Sequence, residues 1–93
     1  MRDVALIRTT QDVGVGDPLA FAVDEPLQGD EIVAIGYPEG RPQTPTSGTV
    51  SRLGQSVDVD DRRLKDLVQF DAESSPGSSG GPLLDLRLSL IHI

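Results

Sequence analysis

A chain of 93 residues has room for one small domain or part of a larger one, which excludes a multidomain enzyme. Its 8 basic and 15 acidic side chains leave a net charge of −7, the wrong sign for holding a nucleic-acid backbone or an anionic membrane surface. Cysteine is absent, excluding a disulfide framework and a thiolate metal site, and an apolar content of 37% with 3% aromatics is a thin core supply that points to an incomplete chain.

In chain order the signals are those of an all-β protein, short apolar runs separated by Gly, Pro, Asp and Ser. Residues 4–8 (VALIR) read as a strand and 19–23 (LAFAV) as a weaker one. The opening run is too short for a secretory signal, and nothing approaches the ~20 apolar residues that span a bilayer. Residues 31–37 contain Ile32-Val33-Ala34-Ile35, a strand expected to be buried on both faces and bounded by the turn signals Gln28-Gly29-Asp30 and Gly36-Tyr37-Pro38-Glu39-Gly40. A strand over 46–53 follows a proline-containing loop. Residues 58–65 have acids first and bases later, as at a helix start, but leave room for only about two turns, so a solvated loop or hairpin is expected. Strands over 67–71 and 82–86 complete the set.

Between those last two lies Ser74-Ser75-Pro76-Gly77-Ser78-Ser79-Gly80-Gly81-Pro82-Leu83. By composition it is a flexible Gly/Ser linker, yet the strand-like flanks make it a tight loop inside a folded unit. A serine hydroxyl becomes a nucleophile when a base takes its proton and when backbone N–H groups point to where the oxyanion forms. A glycine two residues before the serine lets the chain turn so that both N–H groups face one cavity, and glycines after it admit substrate backbone closely. The same residues satisfy the G-x-S-x-G nucleophile elbow. That elbow needs a helix directly after the serine, and Gly80-Gly81-Pro82 is a very poor helix start.

The string Gly77-Ser78-Ser79-Gly80-Gly81-Pro82-Leu83 resembles the nucleophile loop of trypsin-like (chymotrypsin-fold) serine proteases, written GNSGGPL or GDSGGPL. Val68-Gln69-Phe70-Asp71-Ala72 with Pro76-Gly77 is similar to the "QTDA…GNSGG" stretch of the bacterial high-temperature-requirement, or Deg-type, branch. Residues 29–38 (GDEIVAIGYP) resemble that branch's "GDwVvAIGNP", residues 44–51 (TPTSGTVS) its "TVTSGIVS", and Asp3-Val4-Ala5-Leu6 the "D-[LIV]-A-[LV]" motif of the catalytic aspartate.

The resemblance implies a partial double β-barrel, comprising the end of the first barrel and most of the second. Ser79 would be the acylated nucleophile, the N–H groups of Gly77 and Ser79 the oxyanion hole, and Asp3 the group that orients the histidine. Glu73 falls where the fold places the floor of the primary specificity pocket, so an acid there would favour a basic substrate side chain; the residue also reads as a solvated loop glutamate. Polypeptide substrates, no metal and no cofactor are implied, with a periplasmic, secreted or membrane-anchored parent whose oligomeric state stays open.

Two features depart from the pattern. The family's order is His, Asp, Ser, yet no histidine precedes Ser79, and the only one is His92. A Ser79, Asp85, His92 set would need the hydrolase helix excluded above. After Asp85 the family continues as "xxGxVIGI", whereas residues 88–93 read LSLIHI, a frame translation of CTG-TCT-CTT-ATA-CAC-ATC, the transposon-end adapter of sequencing libraries. The expectation is therefore a partial peptidase domain over 1–87 with a non-native tail over 88–93, inactive as it stands. A non-catalytic protease-like β domain that binds peptides or partners is the alternative, and a small complete β domain a third.

Overall fold

The computed structural model describes residues 4–12, 14 and 16–91. Four antiparallel strands form one sheet in the order β3-β2-β1-β4. They are β1 (Glu31–Gly36), β2 (Thr44–Val59), β3 (Arg62–Phe70) and β4 (Leu83–Leu84). Strand β1 is central, as its apolar run requires, pairing with β2 from Glu31↔Thr49 to Gly36↔Thr44 and with β4 through Val33↔Leu84 and Ala34↔Leu83. A 3-10 turn, Pro38–Gly40, joins β1 to β2, closed by the Arg41 N–H donating to the Pro38 carbonyl at 2.9 Å.

The ambiguous stretch over 58–65 is a hairpin. Strands β2 and β3 pair through Val59↔Arg62, leaving Asp60 and Asp61 as a two-residue turn with φ of 49° and 62°. Positive φ at both central residues is what a type I′ turn demands, and aspartate tolerates it better than most residues. Further up, the β2–β3 register shifts at several places between Val50 and Val57. Each irregularity bends and twists the strand, and the sheet curls into a half-barrel.

The concave face holds the core. Ile32 and Val50 are almost fully buried and pack with Ala72 and Ile91, with Ala34, Val68, Phe70 and Leu83 around them.

Three expected strands are corrected. Residues 4–8 form no strand, because no described segment offers them a ladder of partners; Val4, Leu6 and Ile7 stay exposed, Leu6 fully. Over 19–23 the expected strand reduces to one bridge, Phe21↔Leu90, framed by Leu90 N–H to the Ala20 carbonyl (2.7 Å) and Ala22 N–H to the Leu90 carbonyl (2.8 Å). The strand expected over 82–86 is only Leu83–Leu84, because the chain turns at once. Asp85 Oδ1 accepts the N–H groups of Arg87 and Ser89, both at 2.9 Å, and fixes that turn.

Residues 88–91, expected to be foreign, are used by the fold. Leu90 bridges both Phe21 and Leu84, and Ile91 is buried with its N–H donating to the Leu83 carbonyl at 2.8 Å. Leu88 closes the turn with φ of 60°.

Candidate functional site

The serine loop is anchored before it turns. At the end of β3, Asp71 receives the Thr49 N–H on Oδ1 at 2.6 Å and the Thr49 hydroxyl on Oδ2 at 3.4 Å, while its own N–H donates to the Thr49 carbonyl at 3.2 Å. The approach needs a glycine at position 48: a Cβ there would run into Asp71 Oδ1 and lie 2.5 Å from the Ala72 nitrogen. Two residues on, the Thr46 hydroxyl donates to the Glu73 carbonyl at 2.8 Å. The loop therefore leaves β3 tied to β2 at two levels.

Two consecutive turns then present Ser79. Ser78 N–H donates to the Ser75 carbonyl at 3.0 Å across Pro76-Gly77, with Gly77 at φ 100°. Proline second and a positive-φ glycine third is the type II pattern. The next turn is built alike: Gly81 N–H donates to the Ser78 carbonyl at 3.0 Å across Ser79-Gly80, with Gly80 at φ 87°. Ser79 occupies the exposed second position of this turn. The chain after it enters β4 and not a helix, so the nucleophile-elbow geometry is absent.

The first turn is stapled to the end of β1. Glu39 N–H donates to the Pro76 carbonyl at 2.7 Å, and the Gly77 backbone lies against the Tyr37 carbonyl so closely that no Cβ would fit. Among the described residues, the N–H groups of Gly77 and Ser79 have no acceptor. Both residues are exposed, so these two N–H groups are open to solvent or to a ligand.

A cavity of about 260 Å³ lies behind the loop, lined by Ala34, Thr46, Val68, Phe70 and Leu83, with Ser78 on its wall. Glu73 and Arg41 are its charged residues. Arg41 faces Glu39 at 3.8 Å, an exposed pair of little energetic weight, whereas no ion pair involves Glu73 among the described residues.

The remaining candidates are not brought to this loop by the described structure. Asp3 and His92 lie outside the described residues. Asp85 uses Oδ1 to hold the turn at 85–89, and no bond between it and the serine loop is seen among the described residues. No cluster of described residues is arranged to hold a metal ion. Sequence reasoning missed the framework of the loop, namely Gly36, Gly48 and Asp71. Their signal was present, since all three lie inside the stretches that carry the resemblance.

The sequence matches the trypsin-like peptidase domain family over residues 1–91. It is 40% identical over 92 residues to a probable periplasmic serine protease do/HhoA-like of Haemophilus influenzae, covering 98% of this chain and 20% of that protein. It is 41% identical over 92 residues to the periplasmic pH-dependent serine endoprotease DegQ of Escherichia coli, with the same coverage of 98% and 20%. The chain thus spans about one fifth of the length of these curated relatives. Among solved structures, the Rv3671c protease of M. tuberculosis in its active form superposes with a TM-score of 0.71 at 30% identity, over 81% of this chain and 35% of that one.

Proposed function

Because the chain belongs to the trypsin-like peptidase domain family, in its Deg-type branch, we propose that it is the nucleophile-bearing part of a serine endopeptidase. In this reading the Ser79 oxygen attacks the carbonyl carbon of a peptide bond and loses its proton to a histidine. The carbonyl oxygen takes up the electron pair and is held by the N–H groups of Gly77 and Ser79. Collapse of that intermediate expels the amine, which receives the proton, and leaves Ser79 acylated until water releases the acid. Asp3 is assigned to orienting the histidine. Glu73, on the rim of the cavity and without an ion pair of its own, is assigned to favouring a basic side chain of the substrate. The relatives' names support polypeptide substrates and a periplasmic parent.

The observation that carries this reading is the pair of unpaired N–H groups on the two turns that expose Ser79. The same reading makes the 93-residue chain inactive, because no histidine precedes Ser79 and the hydroxyl has no base. A fluorophosphonate is expected to leave Ser79 unlabelled in this chain and to label it rapidly once coding sequence upstream of Met1 supplies a Thr-Ala-x-His-Val-like block. Rapid labelling of the 93-residue chain overturns the inactivity. An in-frame stop codon directly upstream would favour a non-catalytic, peptide-binding β domain, the reading supported by the absence of a histidine before Ser79.

A further inference from the structure

Strand β1 ends in a glycine whose missing side chain is the space that the serine loop fills. A Cβ on Gly36 would lie 2.6 Å from Ser78 Oγ, 2.7 Å from Ser78 Cβ and 2.8 Å from Ser78 Cα. Gly36 is buried and is not among the positive-φ residues, so an L side chain is compatible with its backbone. Glycine is required here for room alone, whereas φ alone demands it at Gly80 and both reasons hold at Gly77. Turning the Ser78 side chain does not relieve the conflict, because the Cα is part of it. To reach the 3.4 Å at which ordinary contact begins, Ser78 Cα has to retreat from 2.8 Å by more than half an ångström. The peptide plane that carries the Ser79 N–H starts at that Cα. On the other side of the nucleophile, Gly81 lies so close to the Ile35 carbonyl that a Cβ is excluded there as well.

We propose that Gly36 is a positioning residue: the bare end of β1 sets how deep Ser78 seats, and through Ser78 it aims the Ser79 and Gly77 N–H groups. The inference rests on the reading of those groups as an oxyanion site, but the placement it asserts is measurable without catalysis. Displacements of this size at a reacting centre carry large rate penalties, ~100-fold for about 1 Å. In a form that carries its histidine, Gly36→Ala is therefore expected to lower turnover roughly 10- to 100-fold with KM little changed.

The test on the 93-residue chain is its ¹H–¹⁵N correlation spectrum. Gly36→Ala is expected to move the Gly77, Ser78 and Ser79 amide resonances several times further than Gly16→Ala does, a control whose added Cβ meets nothing within 4 Å. Thr49 and Asp71, on the far side of the loop's anchor, should stay in place. Adding Ser78→Gly, which removes Oγ and Cβ from the conflict, should bring Gly77 and Ser79 part of the way back. Unmoved Gly77 and Ser79 amides in Gly36→Ala overturn the proposal, as does a double variant no closer to wild type than the single one. If Gly36→Ala unfolds the chain, recovery of a dispersed spectrum by Ser78→Gly supports the proposal and failure to recover overturns it. A Ser79 that stays inert to fluorophosphonate in the histidine-bearing form, with these shifts as stated, removes the nucleophile reading and leaves the placement by Gly36 standing.

Discussion

The serine loop and the N-terminal segment make an instructive pair. Both contain residues that the resemblance assigns to one reaction, Ser79 in the loop and Asp3 at the head of the segment. The loop is tied to β2 through Asp71 and Thr46, to the 3-10 turn through Glu39, and to β1 through the Ile35 N–H donating to the Pro82 carbonyl. Residues 4–8, the more strand-like by composition, pair with nothing described and leave Val4, Leu6 and Ile7 in solvent. Strand propensity is a preference for a pleated, half-covered surface, and without a ladder partner the preference has nothing to act on. The serine loop is thus fixed by contacts among the described residues, whereas residues 4–8 have no such ties.

The contrast breaks first at the core. Ile32→Ala truncates one of the two most buried side chains of the core and is expected to cost about 3–4 kcal/mol, a large share of what a small domain has; chemical unfolding followed by circular dichroism reads it. Gly77→Ala adds a Cβ at φ 100° against the Tyr37 carbonyl and should cost about 2–3 kcal/mol in the same measurement. Asp71→Ala removes the acceptor of the Thr49 N–H and should cost about 1–2 kcal/mol, with Asp71→Asn losing less because it keeps an acceptor oxygen. Leu88→Gly is expected to stabilise by roughly 0.5–1 kcal/mol, since φ of 60° strains a leucine by more than glycine's added chain entropy costs. Smallest of all, Leu6→Ser should change stability by less than about 0.5 kcal/mol. A Leu6 effect comparable to that of Ile32 would show that the N-terminal segment packs after all and would dissolve the contrast.

What the sequence made legible was whatever depends on neighbours along the chain. Ile32 to Ile35 announced a central strand through its unbroken apolar run, and Gly77 announced a turn ahead of Ser79 because glycine accepts positive φ. The serine loop and its family were readable for the same reason. Its seating was not, because Gly36, Gly48 and Asp71 matter only through residues distant in sequence, and a glycine that provides room looks the same on the page as one that provides φ. The hairpin at 58–65 was half-legible: acids followed by bases mimic a helix start, and the pairing Val59↔Arg62 decides against it. Residues 88–91 teach the converse. Whatever the source of their codons, Leu90 and Ile91 fall at a spacing that lets one bridge Phe21 and Leu84 and the other fill the core, and a core selects for shape and polarity alone.

The two-residue Asp60-Asp61 turn also sets an order of events. Strands β2 and β3 meet across the shortest loop a hairpin allows, so their pairing near the tip costs little closure entropy and is expected within ~1–10 μs. Seating Gly77 against Tyr37 joins points far apart along the chain and has to wait for β1 to dock on that hairpin. On loop-closure grounds the turns that expose Ser79 are expected to settle after the hairpin has paired.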